Sequence, residues 1–217
     1  SSVASTGTGN IAITGTGTAS SNGVDMQLGT NTVGSGSMAG TILIDGNDTG
    51  VLLGDVITGN ATATAIQIVD ATTLALNGDV TTGATGTLTL GAAAGNNLSG
   101  AVTQTGVITA GTLTGNTGNT VVLGSANVLT NLGAFTSTAL TLADSTLGLT
   151  VTGAVNTGAG ALSLQTTGGN LAINQTLTST NATLTSTNAS VAIGANIDAG
   201  NGGGGGTATL TAGNQIT

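Results

Sequence analysis

The chain has 217 residues and no lysine, arginine, histidine, cysteine, proline, tryptophan or tyrosine, so its formal charge of −8 comes from eight aspartates with no cationic side chain to pair them. That excludes phosphate recognition by lysine and arginine, and with it nucleic acid as a partner or an anionic membrane surface as a support. It also removes thiol and imidazole chemistry, leaving a small set of carboxylates and many hydroxyls.

The remaining composition, 39 Gly, 46 Thr, 20 Asn and 15 Ser threaded by single Val, Ile and Leu residues, is strand and turn material. Threonine and the β-branched aliphatics lose rotamer freedom in a helix, and each interior glycine costs a helix roughly 1 kcal/mol relative to alanine. A mean hydropathy of +0.40 with 4% charged residues separates the chain from disordered sequences, which are polar and highly charged. No shift in composition divides residues 1–217, which are expected to form one repeat domain. No apolar run approaches the roughly 20 residues that span a bilayer, so membrane insertion is not expected.

In chain order, the first motif is DGNDTG from Asp45. Oxygen-bearing residues alternate there and glycine comes sixth, as in the opening of a calcium loop. The twelfth position, however, is Val56, where such a loop needs a bidentate glutamate. The segment is a solvated turn, or else a site for weakly bound calcium using Asp45, Asn47, Asp48 and Asp55. No other cofactor is expected.

From Val51 onward a frame recurs with apolar residues at its first, third and seventh positions. It reads LALNGDVTT from Leu74, NNLSGAVTQ from Asn96, LTVTGAVNT from Leu149, LAINQTLTS from Leu171 and VAIGANIDA from Val191. Asn96 departs from the pattern, and VLLGDVITG from Val51 and VVLGSANVL from Val121 fit once a one-residue bulge is allowed, which in the second puts Val128 at the seventh position. A second apolar series precedes these frames: Ile66/Ile68, Leu88/Leu90, Leu140/Leu142, Leu162/Leu164, Leu184 and Leu210.

The two series together predict a period of about 20 to 23 residues, with insertions near the middle of the chain, and two or three short strands per repeat. Strands this short bury their apolar faces only by stacking on equivalents in the next repeat, about 4.8 Å away. The expected fold is therefore all-β, a parallel β-helix of roughly nine to ten coils, with Leu74, Leu76 and Val80 pointing inward and Asn or Gly at the corners. Phe135, the single aromatic residue, either fills a wide part of the core or marks a binding spot. The run Gly202–Gly206 is expected to bulge as a loop from one corner.

Segments such as LSGAVTQTGVITAGTLTG from Leu98 and LTVTGAVNTGAGALSLQTTGGNLAINQTLTS from Leu149 resemble the β-strand repeats of filamentous-haemagglutinin-like exoproteins. The resemblance implies a right-handed parallel β-helix acting as an adhesin shaft or extracellular fibre, exported to the bacterial surface or beyond it. The chain lacks the Asn-Pro signatures of that family's secretion domain, and the total absence of lysine and arginine is a further departure.

The expected function is non-enzymatic and mechanical, in a cell surface or biofilm matrix, with the chain itself as partner through head-to-tail stacking, and a host or matrix surface as a further contact. Two other classes compete. Repeated Thr-x-Thr pairs, Thr87/Thr89, Thr112/Thr114, Thr183/Thr185 and Thr209/Thr211, resemble the ranks of ice-binding solenoids, although Ala139, Ala161 and Ser163 interrupt them. A carbohydrate-active β-helix would need two positioned carboxylates, available only among the acids between Asp45 and Asp70.

Overall fold

The computed structural model describes residues 2–5, 7–17, 21–26, 31–92, 97–145, 147–201, 203 and 205–217. Asn96, where one frame begins, and Gly202 and Gly204 of the glycine run lie outside them. Among the described residues there is no helix; 22 strands join in one continuous sheet wound into a parallel β-solenoid.

Three walls enclose the core. Along wall A, Ile13, Ile44, Ile68, Leu90, Gly115, Phe135, Val155, Leu177 and Ile197 are stacked in register. Along wall B the series is Val24, Val51, Leu74, Val102, Val121, Leu140, Leu162, Ala182 and Ala208. Each series has nine rungs joined by about eight turns, slightly fewer than the nine to ten coils expected. Inward residues along both are almost all buried, as alternation on a strand requires, and each fully buried leucine contributes about 1.5–3 kcal/mol.

Apart from the frame at Asn96, the two apolar series read from the sequence stack in register within each half of the chain and exchange walls between them. Leu140/Leu142 and Leu162/Leu164 continue the wall of Leu74/Leu76, not that of Ile66/Ile68 and Leu88/Leu90. The frames at Leu149 and Leu171 continue the wall of Leu88 and Leu113. Val102, expected to lie over Val80, pairs with Leu74. Both walls use the same L-x-L strand, so local pattern does not distinguish them.

With the walls indexed this way, the middle of the rod is where turns are shortest. The step falls from 31 residues (Ile11 to Ile42) to 19 (Leu113 to Leu132, and again Leu132 to Val151). The expected insertions near the middle came from the exchanged series.

Wall C changes character at the same place. Val33, Val56, Val80 and Ile108 make its N-terminal half, and the positions that follow are Asn127, Asp144, Thr166 and Ser186, all buried. Val128, expected inward, is only half-buried, and its neighbours Asn127 and Leu129 are the buried residues.

Phe135 fills the core, as one of its two expected roles required, and is 1% exposed. It lies one rung above Gly115, where a Cβ would meet the ring carbons Cε2 and Cζ at 2.5 and 2.7 Å. The glycine makes room that the ring occupies.

The loop expected at the glycine run includes Gly202 and Gly204, which lie outside the described residues. One residue, Thr180, separates the strands Leu177–Ser179 and Asn181–Ser186, and in the next rung the gap between the strands Ile197–Ala199 and Thr207–Ala212 is wider.

Candidate functional site

The segment from Asp45 forms the corner between walls A and B. Asn47 and Asp48 have positive φ (47° and 59°), and one rung on Asp70 does too (52°), a conformation that Asn and Asp tolerate better than other side chains bearing a Cβ. The Asp45 carboxylate accepts the Asn47 amide at 2.9 Å, a turn-stabilising bond within the corner.

Of the four residues proposed for calcium, three share this corner and Asp55 does not. Its Oδ1 accepts the Asp79 amide at 3.0 Å at a different corner, and Asp79 Oδ1 accepts the Val107 amide of the following rung at 2.8 Å. The acid that joins Asp45 and Asp48 is Asp70, which spacing did not single out. Among the described residues no group of three or more His, Cys, Asp or Glu side chains is arranged to hold a metal ion.

The Asp70 carboxyl is held above its ordinary value of 3.8 by desolvation first, then by the negative charges of Asp48 and Asp45 and a side-chain hydrogen bond with Asp48. Its proton therefore binds the folded chain more tightly than the unfolded one. Stability rises as pH falls through the raised value and this contribution levels off below 3.8, leaving the carboxylate a net cost at neutral pH. Asp70→Asn keeps a side chain suited to positive φ and removes the charge. We expect it to melt higher than the parent at pH 7 and to lose part of the parent's gain on acidification to pH 3. Equal melting shifts in the two proteins would contradict this.

Elsewhere side-chain oxygens tie one rung to the next. Asn10 Oδ1 accepts the Thr41 amide, Asn170 Oδ1 the Ser190 amide and Asn181 Oδ1 the Thr207 amide, at 2.9 to 3.1 Å. Inside the core, Asp144 Oδ1 accepts the Leu129 amide at 2.8 Å. Asn127 is the densest of these junctions. Its Oδ1 accepts the Ile108 amide of the preceding rung and the Gln104 amide, and its Nδ2 donates to the carbonyls of Leu123 and Ala143. Nothing in the apolar periodicity marks Asn127 or Asp144, because a periodicity search skips polar residues.

The Thr-x-Thr pairs are divided between two walls. Thr87/Thr89 and Thr112/Thr114 lie in register on wall A, with the hydroxyls of Thr89 and Thr114 3.2 Å apart, and Thr183/Thr185 and Thr209/Thr211 lie on wall B. A rank of outward hydroxyls runs through Thr141, Ser163, Thr183 and Thr209 on wall B, flanked by Ala139 and Ala161 on one side and Ala143 and Gln165 on the other.

At the N-terminal end an open cavity of about 490 Å³ is lined by Val3, Ile13, Val24, Met26 and Val33, with Asp25 and Asn31 among its polar residues. At the C-terminal end the inward positions of the last strand, Thr207–Ala212, are exposed or half-buried, where their equivalents one rung earlier, Ala182 and Leu184, are buried.

No protein-family model, no curated protein and no solved structure matches the chain.

Proposed function

We propose that the chain is a non-enzymatic structural rod, a shaft or self-assembling fibre of a bacterial surface or extracellular matrix, whose coils stack end to end with those of further copies. The observation that carries this reading is the use of its polar side chains. Asp55, Asp79, Asn127 and Asp144 serve as rung-to-rung acceptors and Asp45, Asn47, Asp48 and Asp70 as corner residues, over a core that runs through every turn. Load along such a rod is shared by many backbone ladders in parallel. The surface or matrix location, and the adhesin or fibre role, come from the resemblance to filamentous-haemagglutinin-like repeats. Among the described residues, the chain also offers trypsin-like proteases no lysine or arginine to cleave after.

Negative-stain electron microscopy of the purified chain in neutral buffer tests the reading. Long unbranched filaments are the result expected of a fibre, and short separate rods the result expected of a shaft segment. Compact or amorphous particles would remove both.

A further inference from the structure

The polar half of wall C holds an ionisable group inside the core. Asp144 is 1% exposed, and its partners in register on either side, Asn127 and Thr166, are fully buried. Its Oδ1 accepts the Leu129 amide of the rung below at 2.8 Å, and its backbone carbonyl accepts the Thr167 amide of the rung above at 3.0 Å. The side chain is therefore held in place between two rungs and cannot swing out to water without breaking the stack.

No cationic side chain exists to balance a charge there, because the chain has no lysine, arginine or histidine. Asp144 is also the only titratable side chain between Asp79 and Asp198. The strands packed against its own on either side, Thr120–Thr136 and Ala161–Thr166, contain none. Asp79 lies three rungs below, and Asp198 two rungs beyond the wall A strand that follows Asp144, so each is on the order of 10 Å away or more and could add only repulsion. Burial disfavours the charged form of a carboxyl group, and a group so placed gives up its charge by keeping its proton. The Leu129 amide is served equally well by an oxygen of the neutral acid.

We infer that Asp144 is a neutral carboxylic acid in the folded rod at neutral pH, and that its proton closes a pH-sensitive joint between the rungs of Asn127 and Thr166. With the proton in place, Asp144 is one more uncharged member of the buried row Asn127, Asp144, Thr166 and Ser186. Alkali removes the proton and puts a charge inside the core at this level. The aliphatic half of the same wall, Val33, Val56, Val80 and Ile108, has no group that responds.

The sign follows from linkage. In the unfolded chain Asp144 ionises near pH 3.9, and in the fold only at higher pH. Between the two values unfolding releases a proton. The contribution of Asp144 to stability is therefore complete below about pH 3.9 and is lost as pH rises through the folded value.

Asp144→Asn keeps an acceptor for the Leu129 amide and has no proton to lose. Chemical denaturation of parent and variant is compared from about pH 4 to 9, a range in which the unfolded aspartate is ionised. The parent's folding equilibrium constant is expected to fall about tenfold per pH unit relative to the variant's, until Asp144 ionises in the fold. Asp70 and the other aspartates are common to both proteins and cancel in the ratio. A ratio that is constant with pH, or that moves in the parent's favour as pH rises, would overturn the inference. The parent supplies a second readout that does not depend on the variant folding. At pH 7 the carbon-13 resonance of the Asp144 carboxyl is expected at the neutral-acid position in the folded chain, moving to the carboxylate position in denaturant. A carboxylate signal from the folded chain would equally overturn it.

Discussion

Replacing Asn127 by leucine is expected to lower the unfolding free energy by on the order of 3 kcal/mol, although leucine is apolar, similar in size and placed in a core. The asparagine is fully buried and joins three successive rungs: the Ile108 amide below, the Leu123 carbonyl of its own rung, and the Ala143 carbonyl above. Leucine leaves the Ile108 amide without its acceptor and takes a partner from Gln104, whose side-chain oxygen and nitrogen both face the Asn127 amide. Each buried polar group so orphaned costs about 1–3 kcal/mol.

Asn127→Asp separates the contributions. It keeps an acceptor for Ile108, removes both donors and buries a charge in a chain with no cationic side chain, so it is expected to destabilise at least as much. Chemical denaturation reads both changes. A loss below about 1 kcal/mol for the leucine variant would mean that the junction is not where the mid-rod register is held.

The second large effect is at Phe135. Truncation to alanine removes the one aromatic ring of the core and is expected to cost about 3–5 kcal/mol. The site below it cannot collapse to compensate, because Gly115 has no side chain to move into the space. The pairing gives a sharper expectation than the single variant. Gly115→Ala puts a methyl group against the ring carbons and close to the Leu90 carbonyl, so it destabilises on its own. In a Phe135→Leu background the ring is gone and the same alanine should cost clearly less. Additive costs in the double-mutant cycle would contradict the contact.

This glycine–phenylalanine pair also explains why half of the fold was legible in the sequence and the indexing of its middle was not. A wall A strand normally shows two inward aliphatics two residues apart, as Ile66/Ile68 and Leu88/Leu90 do. In the strand Ile108–Asn116 the second of them is Gly115. In the strand Thr120–Thr136 the spacing is three, Leu132 to Phe135, because the register slips there. Wall A therefore loses its signature over two rungs. Wall B carries Val102 with Gln104 at the same level, which hides its own signature.

An apolar pattern then resumes at Leu140 and Leu149, and nothing local says which wall each belongs to. The solenoid, its period and the inward residues of each half needed only alternation and repetition, and those are written in the sequence.

The candidate site was legible in a different proportion. Spacing along the chain found Asp45, Asn47 and Asp48, which are neighbours in sequence. It missed Asp70, brought to them by the stacking of one turn on the next, and included Asp55, which the same stacking assigns to Asp79. In a solenoid, residues one turn apart are closer partners than residues ten apart, and a turn of variable length conceals which ones they are.

The most direct measurement is the axial repeat of filaments of the 217-residue chain imaged in vitreous ice. Successive rungs of the solenoid lie about 4.8 Å apart, so the account predicts filaments with a layer spacing of about 4.8 Å along their axis. Filaments lacking the spacing of about 4.8 Å along their axis would contradict it.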